Sequence, residues 1–179
     1  YRHAHADERR KLLKDFGLNI HRPQRPGSAW ARVTALGSYR EVGRACHFVT
    51  TNESRVMIDV GVNIASETEP MPYFTAPYDM EDIRTCMKHV VDVDWDETTD
   101  IAPDIKLTFS NAGHILGSSA VHLHIGDGKH NIVFSGDQKY EKSWLFDAAN
   151  TRFPRVETLV IESTYGCLLY TSPSPRDGL

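Results

Sequence analysis

The sequence predicts a β-rich fold in which strands form a layered sandwich and helices pack outside it. Three observations lead to this prediction. From residue 30 onward, short apolar runs alternate with turn residues, a pattern that is typical of strands. Only two segments have the pattern of short helices. The chain has 179 residues, 40% of them hydrophobic, which is enough for one domain with a packed core.

The elements follow in order along the chain. Residues 6–16 are predicted to form a charged helix with a thin apolar stripe, and residues 21–27 a linker. Residues 67–82 contain three prolines and are predicted to be irregular. A second short helix is predicted at 144–150. Strands are predicted at 32–36, 47–50, 55–58, 88–93, 106–110, 120–125, 131–135 and 158–161.

Composition narrows the possible classes of partner and compartment. The net charge of −4 excludes a globally basic surface, so a nucleic acid would have to contact a local patch or a separate domain. No apolar run approaches the roughly 18 residues of a membrane span, and no secretory signal is visible. The three cysteines have no zinc-finger spacing and are expected to be reduced thiols of a cytoplasmic protein. Cys46 and Cys86 are expected to pack as small apolar residues.

A histidine and an aspartate at strand ends are candidate metal ligands. His114 lies in a Gly-His-Ile-Leu-Gly-Ser run just after one predicted strand, and Asp137 follows a Ser-Gly turn after another. Strand ends hold side chains rigidly, and zinc hydrolases use imidazole and carboxylate ligands. Each residue also has an ordinary alternative, since histidines in loops often bond to the backbone and aspartates are common in turns.

Seven segments share their residue types and their order with a known family: 33–37, 40–44, 58–61, 99–105, 111–118, 135–137 and 162–166. On these segments the chain resembles the metallo-β-lactamase fold of the β-CASP nucleases, in particular the archaeal KH-domain homologues of the cleavage and polyadenylation specificity factor. The resemblance covers residues 30–166 and implies a partial metallo-β-lactamase αββα sandwich of the α/β class. Residues 1–29 resemble the helix and linker that follow the KH domains, and the start at Tyr1 indicates a fragment.

The resemblance also implies roles for four residues. His114 matches a zinc ligand, and Asp137 matches the carboxylate that bridges two zinc ions. Asp59 and Glu162 match residues of the catalytic centre: Asp59 supports the metal-binding loop, and Glu162 is the acidic residue of the first β-CASP motif. The family's reaction, as the resemblance implies it, is hydrolysis of RNA phosphodiesters by a hydroxide held on two zinc ions. Partners implied for the intact protein are RNA, a second copy in a homodimer, and RNA polymerase.

One motif of this family is missing from the chain. A His-x-His-x-Asp-His motif should follow a strand soon after residues 74–83, but Ile83 continues directly into Arg84 and into residues that resemble sequence well downstream. Each zinc would then lose at least half of its ligands, and two residues cannot hold zinc tetrahedrally. The chain alone is therefore expected to be inactive, poor in metal and marginally stable, with an unpaired sheet edge.

Other histidines and several cations have plainer explanations. His3, His5 and Asp7 mimic the missing motif but are expected to form a solvated helix start. His122 and His124 alternate along one strand and are expected to share a half-exposed face. Four cations flank the motif loops and either contact RNA phosphates or are solvated charges: Arg40, Arg44, Lys139 and Lys142.

Residues 167–179 form a Pro- and Ser-rich tail that suits no packed element and resembles a translated sequencing adapter, so it is excluded from the fold. The leading function is a fragment of a zinc-dependent RNA endonuclease and 5′→3′ exonuclease of RNA 3′-end processing and transcription termination. One alternative is a small-molecule hydrolase such as a thioesterase. Residues 162–166 argue against it, because they resemble the sequence that precedes a β-CASP insertion. Another is a noncatalytic RNA-binding or scaffold subunit, which a genuine deletion would favour.

Overall fold

A computed structural model describes residues 30–39, 42–63 and 80–164 of the chain. The chain divides into two compact units, Tyr1–Trp30 and Ala31–Leu179. All described strands and the one described helix belong to the second unit. None of the described segments is a helix with the length and hydropathy to cross a membrane. The elements are β1 (Ala31–Ala35), β2 (His47–Thr51), β3 (Arg55–Ile58), α1 (Met80–Met87), β4 (Thr98–Ala102), β5 (Ile105–Asn111), β6 (Ser119–Ile125), β7 (His130–Phe134) and β8 (Thr158–Val160).

The strands form two sheets. β1, β2 and β3 make an antiparallel meander with β2 in the centre. The second sheet has the order β4-β5-β6-β7-β8, in which β4 to β7 are antiparallel neighbours and β8 runs parallel to β7. A parallel pair needs a long connection, and here it is supplied by residues 135–157.

The apolar faces of the two sheets share one core. Strand residues alternate between this core and the outer face, as in β5, where Ile105 and Leu107 are buried and Lys106 between them is exposed. Two sheets around one core agree with the β-rich class that the sequence predicts, but the described helix, whose residues are all exposed, does not pack on the sheets as predicted. The buried cluster contains Val49 and Ile58 from the smaller sheet and Ile105, Leu107, Leu123, Ile125, Ile132 and Phe134 from the larger one.

Seven of the eight strands lie where the sequence predicts them, with ends that differ by one residue at most. The predicted turn at Asn52 and Glu53 is also present, because the Thr51 hydroxyl accepts hydrogen bonds from the backbone N–H groups of Glu53 and Ser54. The predicted turn at 126–129 joins β6 to β7. These elements are predicted well because alternation and turn residues are local features of the sequence.

The predicted strand at 88–93 is wrong, and the irregular structure predicted at 67–82 is wrong for residues 80–82, whereas residues 67–79 lie outside the described residues. Helix α1 occupies Met80–Met87, with Glu81 and Asp82 in its first turn, where acidic groups favour the helix dipole. Val90 and Val91 are exposed and belong to no strand. The strand that joins the sheet at this edge is instead β4, which the sequence analysis did not predict as a strand.

The predicted helix at 144–150 is also wrong. Its backbone groups bond to other segments rather than along a helix: Ala149 N–H donates to the carbonyl of Lys139, and Asn150 N–H to that of Asn111. These tertiary bonds outweigh a weak local propensity. The helix predicted at 6–16, the linker at 21–27 and the tail at 167–179 lie outside the described residues.

Two predictions about burial are also wrong. Cys86 is exposed on α1, whereas Cys46 is fully buried as predicted. His122 is only 2% exposed, although its strand face was expected to be half exposed. Its ring packs against the ring of His124, with centroids 4.0 Å apart, and edge-on against Phe153 from the β7–β8 connection. That connection covers the face and excludes solvent from it.

Candidate functional site

The loop after β5 holds His114 at the end of the larger sheet. The Asn111 side-chain oxygen accepts a hydrogen bond from Gly113 N–H, and Gly113 has a φ of 68°, which glycine adopts without strain. The Ser118 hydroxyl then accepts hydrogen bonds from the N–H groups of His114 and Ile115. The loop is therefore closed by its own polar groups, and the imidazole of His114 is left accessible.

Asp137 lies beside His114, although two strands separate them in sequence. It follows β7 through Ser135, which is buried, and Gly136, which has a φ of 58°. His114 Nε2 and Asp137 Oδ2 are 3.9 Å apart, and both side chains are substantially exposed. This distance is too long for a hydrogen bond. Two ligands of one tetrahedral zinc, each about 2.0–2.1 Å from the metal, would be about 3.4 Å apart.

The loops that carry these two residues are fastened to each other at their bases. Lys139 N–H donates to the carbonyl of Ala112, and Ala149 N–H donates to the carbonyl of Lys139. Gly113 fits between them so closely that an added Cβ would lie 2.7 Å from the nitrogen of Ala149. The spacing of His114 and Asp137 is thus set by backbone contacts between the two loops.

Glu162 supports the Asp137 loop from behind. Its Oε1 accepts a hydrogen bond from Gln138 N–H at 2.7 Å, and its Oε2 accepts one from the Thr164 hydroxyl at 2.9 Å. Its own N–H donates to the Ser135 hydroxyl at 3.1 Å. Both carboxylate oxygens of Glu162 therefore accept hydrogen bonds. Through its carboxylate and its N–H, Glu162 holds Gln138 and Ser135, which lie on the two sides of the Gly136-Asp137 pair. Gln138 is not recognisable in the sequence, because it takes part through its backbone N–H, which every residue except proline has.

Asp59 lies just after β3, on the smaller sheet. It is exposed and has a φ of 59°, an unusual backbone conformation for a residue other than glycine. Burial raises the pKa of Cys46, and the negative charge of Asp59 raises it further. Burial lowers the pKa of His47, and Asp59 opposes that change. The His47 ring lies 5.2 Å from the ring of Phe134, the last residue of β7, so the end of β3 faces the end of β7.

The cations near these loops differ in their surroundings. Arg44 is buried, so it is not a solvated loop charge. Lys142 Nζ lies 2.8 Å from Asp147 Oδ1, and this pairing raises the pKa of Lys142 and lowers that of Asp147. Lys139 is exposed. Arg40 lies outside the described residues.

The residues present do not fit a zinc centre by themselves. In residues 30–39, 42–63 and 80–164 there is no group of three or more His, Cys, Asp or Glu that could hold a metal. His114 and Asp137 supply two donors, whereas a zinc site requires four ligands, of which a catalytic site takes three from the protein. The described part of the chain therefore supplies two of the donors that such a site would need.

No family model matches the chain. It is 38% identical, over 95% of its own length, to the transcription termination factor FttA of Methanosarcina mazei, and it covers 37% of that relative. It is 37% identical to the protein of the same name from Methanothermobacter thermautotrophicus and 34% identical to that of a Lokiarchaeum. The chain thus spans little more than a third of the length of these relatives.

Each alignment has more positions than the number of residues of this chain that it includes. The alignment with the Methanosarcina mazei protein has 235 positions, whereas 95% of 179 residues is about 170. About 65 positions of the relative therefore have no counterpart within the matched span. The Methanothermobacter thermautotrophicus protein gives the same result, with 227 positions against about 161 residues.

Similarity of 37–38% identity over 90–95% of the chain is too extensive to arise by chance, and the relatives that show it share one name. The chain is a fragment in the sense that it matches about a third of each relative, and over that third it is a homologue of these archaeal transcription termination factors.

Proposed function

We propose that this chain is a segment of an archaeal transcription termination factor which, when intact, is a zinc-dependent ribonuclease with a metallo-β-lactamase fold. The single observation that carries this proposal is the pair of His114 and Asp137, 3.9 Å apart on two interlocked loops. The relatives' shared name, transcription termination factor, supports the role in termination. RNA as substrate, zinc as cofactor, and a homodimer and RNA polymerase as partners are parts of the same proposal.

Each proposed site residue has a task that its contacts support. His114 Nε2 and Asp137 Oδ2 are atoms of a kind that bind zinc, and both side chains are exposed, so a metal ion can reach them. Glu162 is a positioning residue, because its carboxylate holds the backbone next to Asp137. Asp59 is proposed to support the loop that the chain lacks, since its exposed carboxylate lies at the strand end that faces β7.

The proposal places the missing donors in the roughly 65 positions that the relatives have and this chain lacks. Residues 83 and 84, between which we propose that the segment with the family's histidine motif is missing, lie inside α1, whose residues are all exposed. An exposed helix accepts an interruption without disturbing a core. The chain without this segment is expected neither to hold zinc stoichiometrically nor to cleave RNA.

A second candidate function is a noncatalytic RNA-binding or scaffold subunit. The observation that favours it is the lack of a third metal donor beside His114 and Asp137 in the described residues. The two candidates differ in whether the gene contains the missing segment. Sequencing the source gene across codons 83 and 84 with long reads distinguishes them, since an uninterrupted junction favours the scaffold.

The experiment that tests the proposed function restores the missing segment. The extra positions of the Methanosarcina mazei relative are inserted between Ile83 and Arg84, and bound zinc and cleavage of a labelled single-stranded RNA are measured. We expect the restored protein to bind zinc and cleave RNA, and the chain as it is to do neither. In the restored protein, His114→Ala and Asp137→Asn should each abolish both properties.

His89→Ala is the matched control, because His89 is exposed at the end of α1 and its ring bonds to the carbonyl of Thr85. This variant should retain zinc and activity. Cleavage by the uninserted chain, or full activity of the restored His114→Ala protein, would refute the proposed metal site.

A further inference from the structure

His122 is a buried imidazole on the outer face of the larger sheet. It is only 2% exposed, and its Nε2 is buried without a hydrogen-bond partner among the described residues. The backbone carbonyl of Arg155 accepts a hydrogen bond from the ring. Because Nε2 has no partner, Nδ1–H is the donor, and the ring fits its site as the neutral tautomer with a free lone pair on Nε2. A proton added to Nε2 would create a buried N–H without an acceptor, which costs free energy.

His124 stacks on the ring of His122 and is held in a fixed tautomer. The two ring centroids are 4.0 Å apart. His124 Nδ1 lies 2.8 Å from Asn131 Oδ1, and Asn131 is oriented by its side-chain nitrogen, which donates to Glu157 Oε2. His124 Nδ1 therefore carries the proton, and Nε2 accepts a hydrogen bond from the Thr108 hydroxyl at 2.9 Å. A charge on either imidazole raises the cost of a charge on the other.

Residues 150–157 cross this face of the sheet, and we call them the strap. Backbone N–H groups fasten its two ends, at Asn150 to the carbonyl of Asn111 and at Glu157 to the carbonyl of Asn131. Between these ends, residues 151–154 make no backbone hydrogen bond to the backbone of another described residue. Phe153 packs edge-on against His122, with ring centroids 5.6 Å apart. The middle of the strap therefore lies on the sheet through side-chain packing on a titratable ring.

Charged and titratable groups surround His122 on this face. They are His124 on β6, Lys106 on β5 with its partner Asp100 on β4, Asp96 beside the Ser110 hydroxyl, and Arg155 with Glu157 on the strap. β7 presents the neutral Asn131 and Val133. Burial lowers the pKa of His122 most, and the charge of His124 lowers it further. The Arg155 carbonyl and the charge of Glu157 oppose this change without reversing it. His122 thus resists protonation while the strap is closed.

We infer that His122 and the strap form an acid-sensitive latch, in which a proton on His122 Nε2 expels Phe153 and the middle of the strap from the sheet while the strands stay paired. Opening gives the new N–H group water as its acceptor. Below about pH 6.5, each pH unit should shift the equilibrium about ten-fold towards the open strap, until the closed form also takes up the proton. The fastened ends lie outside the expelled part, so the latch does not depend on the proposed metal site.

NMR of the full chain between pH 7.5 and pH 5 tests the latch. Ring nitrogen shifts report the protonation of His122 and His124 separately, and nuclear Overhauser contacts between the rings of Phe153 and His122 report a closed strap. Amide protection in β6 and β7 reports strand pairing. We expect the ring contacts to disappear as His122 takes up its proton, with amide protection constant within about two-fold. Glu157, with a pKa of about 2, stays ionised throughout and keeps its end fastened.

Three outcomes would overturn the inference. Ring contacts that persist after His122 is protonated would show that the strap tolerates the charge. Simultaneous loss of the contacts and of amide protection in β6 and β7 would make His122 an ordinary buried histidine of a chain that unfolds in acid. Opening that follows the protonation of His124, with His122 still neutral, would exclude His122 as the trigger.

Variants make the result specific. His122→Phe retains an aromatic ring but cannot take up a proton, so the ring shifts of Phe153 should stay at their closed values down to pH 5. His89→Phe removes an exposed histidine and should open at the same pH as the unmodified chain. Opening of the His122→Phe strap in acid would contradict the latch.

Phe153→Ala covers the case in which His122→Phe does not fold. Without the Phe153 ring, His122 should be reached by water and should titrate at a higher pH than in the unmodified chain, close to the ordinary value of about 6.5. An unchanged titration of His122 in this variant would show that the strap does not control its protonation.

Discussion

Gly113 lies where the loop after β5 meets the β7–β8 connection. An added Cβ would lie 2.7 Å from the Ala149 nitrogen and 2.8 Å from the carbonyl oxygens of Lys139 and Asp147. These neighbours are backbone atoms, so they cannot rotate away. The position therefore combines a positive φ with a lack of space, and it fixes the distance between the two candidate ligands.

Gly117 provides a matched comparison, since it has a φ of 77° but nothing lies within 4 Å of its added Cβ. We expect Gly113→Ala to destabilise the chain by about 2–4 kcal/mol and Gly117→Ala by about 1 kcal/mol, because only the first adds a clash to the strain. Urea unfolding followed by near-ultraviolet circular dichroism measures both. Equal effects of the two substitutions would mean that the loops are not packed as described.

His122 should make the stability of the chain depend on pH. Burial, and secondarily the charge of His124, lower the pKa of His122, whereas the Arg155 carbonyl and the charge of Glu157 act in the opposite direction. The unfolded state therefore binds protons first, and stability falls as the pH drops below the ordinary histidine pKa of about 6.5. We expect a loss on the order of 1 kcal/mol between pH 7.5 and pH 5.5.

His122→Gln should flatten this dependence, although His47, whose pKa is also lowered by burial, will retain part of it. His89→Gln replaces an exposed histidine and should leave the slope unchanged. Urea midpoints at several pH values provide the measurement. A slope in the His122→Gln variant that is unchanged or steeper would contradict the role of His122.

At the scale of elements, β8 is the strand with the weakest attachment. It has three residues and pairs only with β7, through Ile132, Val133 and Phe134. Glu157, just before it, accepts hydrogen bonds from both the N–H and the side-chain nitrogen of Asn131, which is next to Ile132. These bonds, and a further one from Arg155, hold the pKa of Glu157 at about 2.

We therefore expect Glu157→Gln to loosen β8, because an amide replaces a charged acceptor between two donors. Amide exchange of residues 158–160 should become several-fold faster, while β6 is unaffected. Glu141→Gln, an exposed charge change in the preceding connection, is the control. The same attachment should weaken in acid as the pH falls from about 4.5 towards 2, since the folded pKa is depressed. Unchanged exchange in the variant would assign the attachment to the strand pairing alone.

In the part of the chain that the structure describes, two sheets share one core, and much apolar surface remains outside it. The only described helix buries none of its residues, and Met80, Ile83 and Met87 form an apolar stripe along it. An isolated helix of eight residues is not stable in water by itself. Both features are consistent with a chain that lacks part of its packing partners.

We expect the chain as given to be marginally stable, and the restored protein to melt at a higher temperature by about 4–8 °C, the shift that roughly 2 kcal/mol produces in a chain of this size. Thermal melts followed by near-ultraviolet circular dichroism compare the two. A cooperative melt of the uninserted chain at the same temperature as the restored one would show that the segment contributes nothing to the core.

The sequence by itself predicted seven of the eight described strands and the identity of the candidate ligands. Alternation over four to seven residues is a local property, so β2, β3, β5, β6 and β7 follow from it. His114 and Asp137 stand out because glycine turns follow predicted strands there. Local patterns predicted wrongly at 88–93, where the N–H groups of Lys88 and His89 bond to carbonyls of α1. They also predicted wrongly at 144–150, where the N–H groups of Ala149 and Asn150 bond to the carbonyls of Lys139 and Asn111.

Only the tertiary structure decided how these residues meet. The pairing of β5, β6 and β7 and the bonds from Lys139 and Ala149 bring His114 to within 3.9 Å of Asp137. The tertiary structure also decided that the Glu162 carboxylate accepts a hydrogen bond from Gln138 N–H and that the buried His122 ring packs against Phe153. Such contacts join residues far apart in sequence through backbone groups that every residue possesses, so no pattern of residue types specifies them.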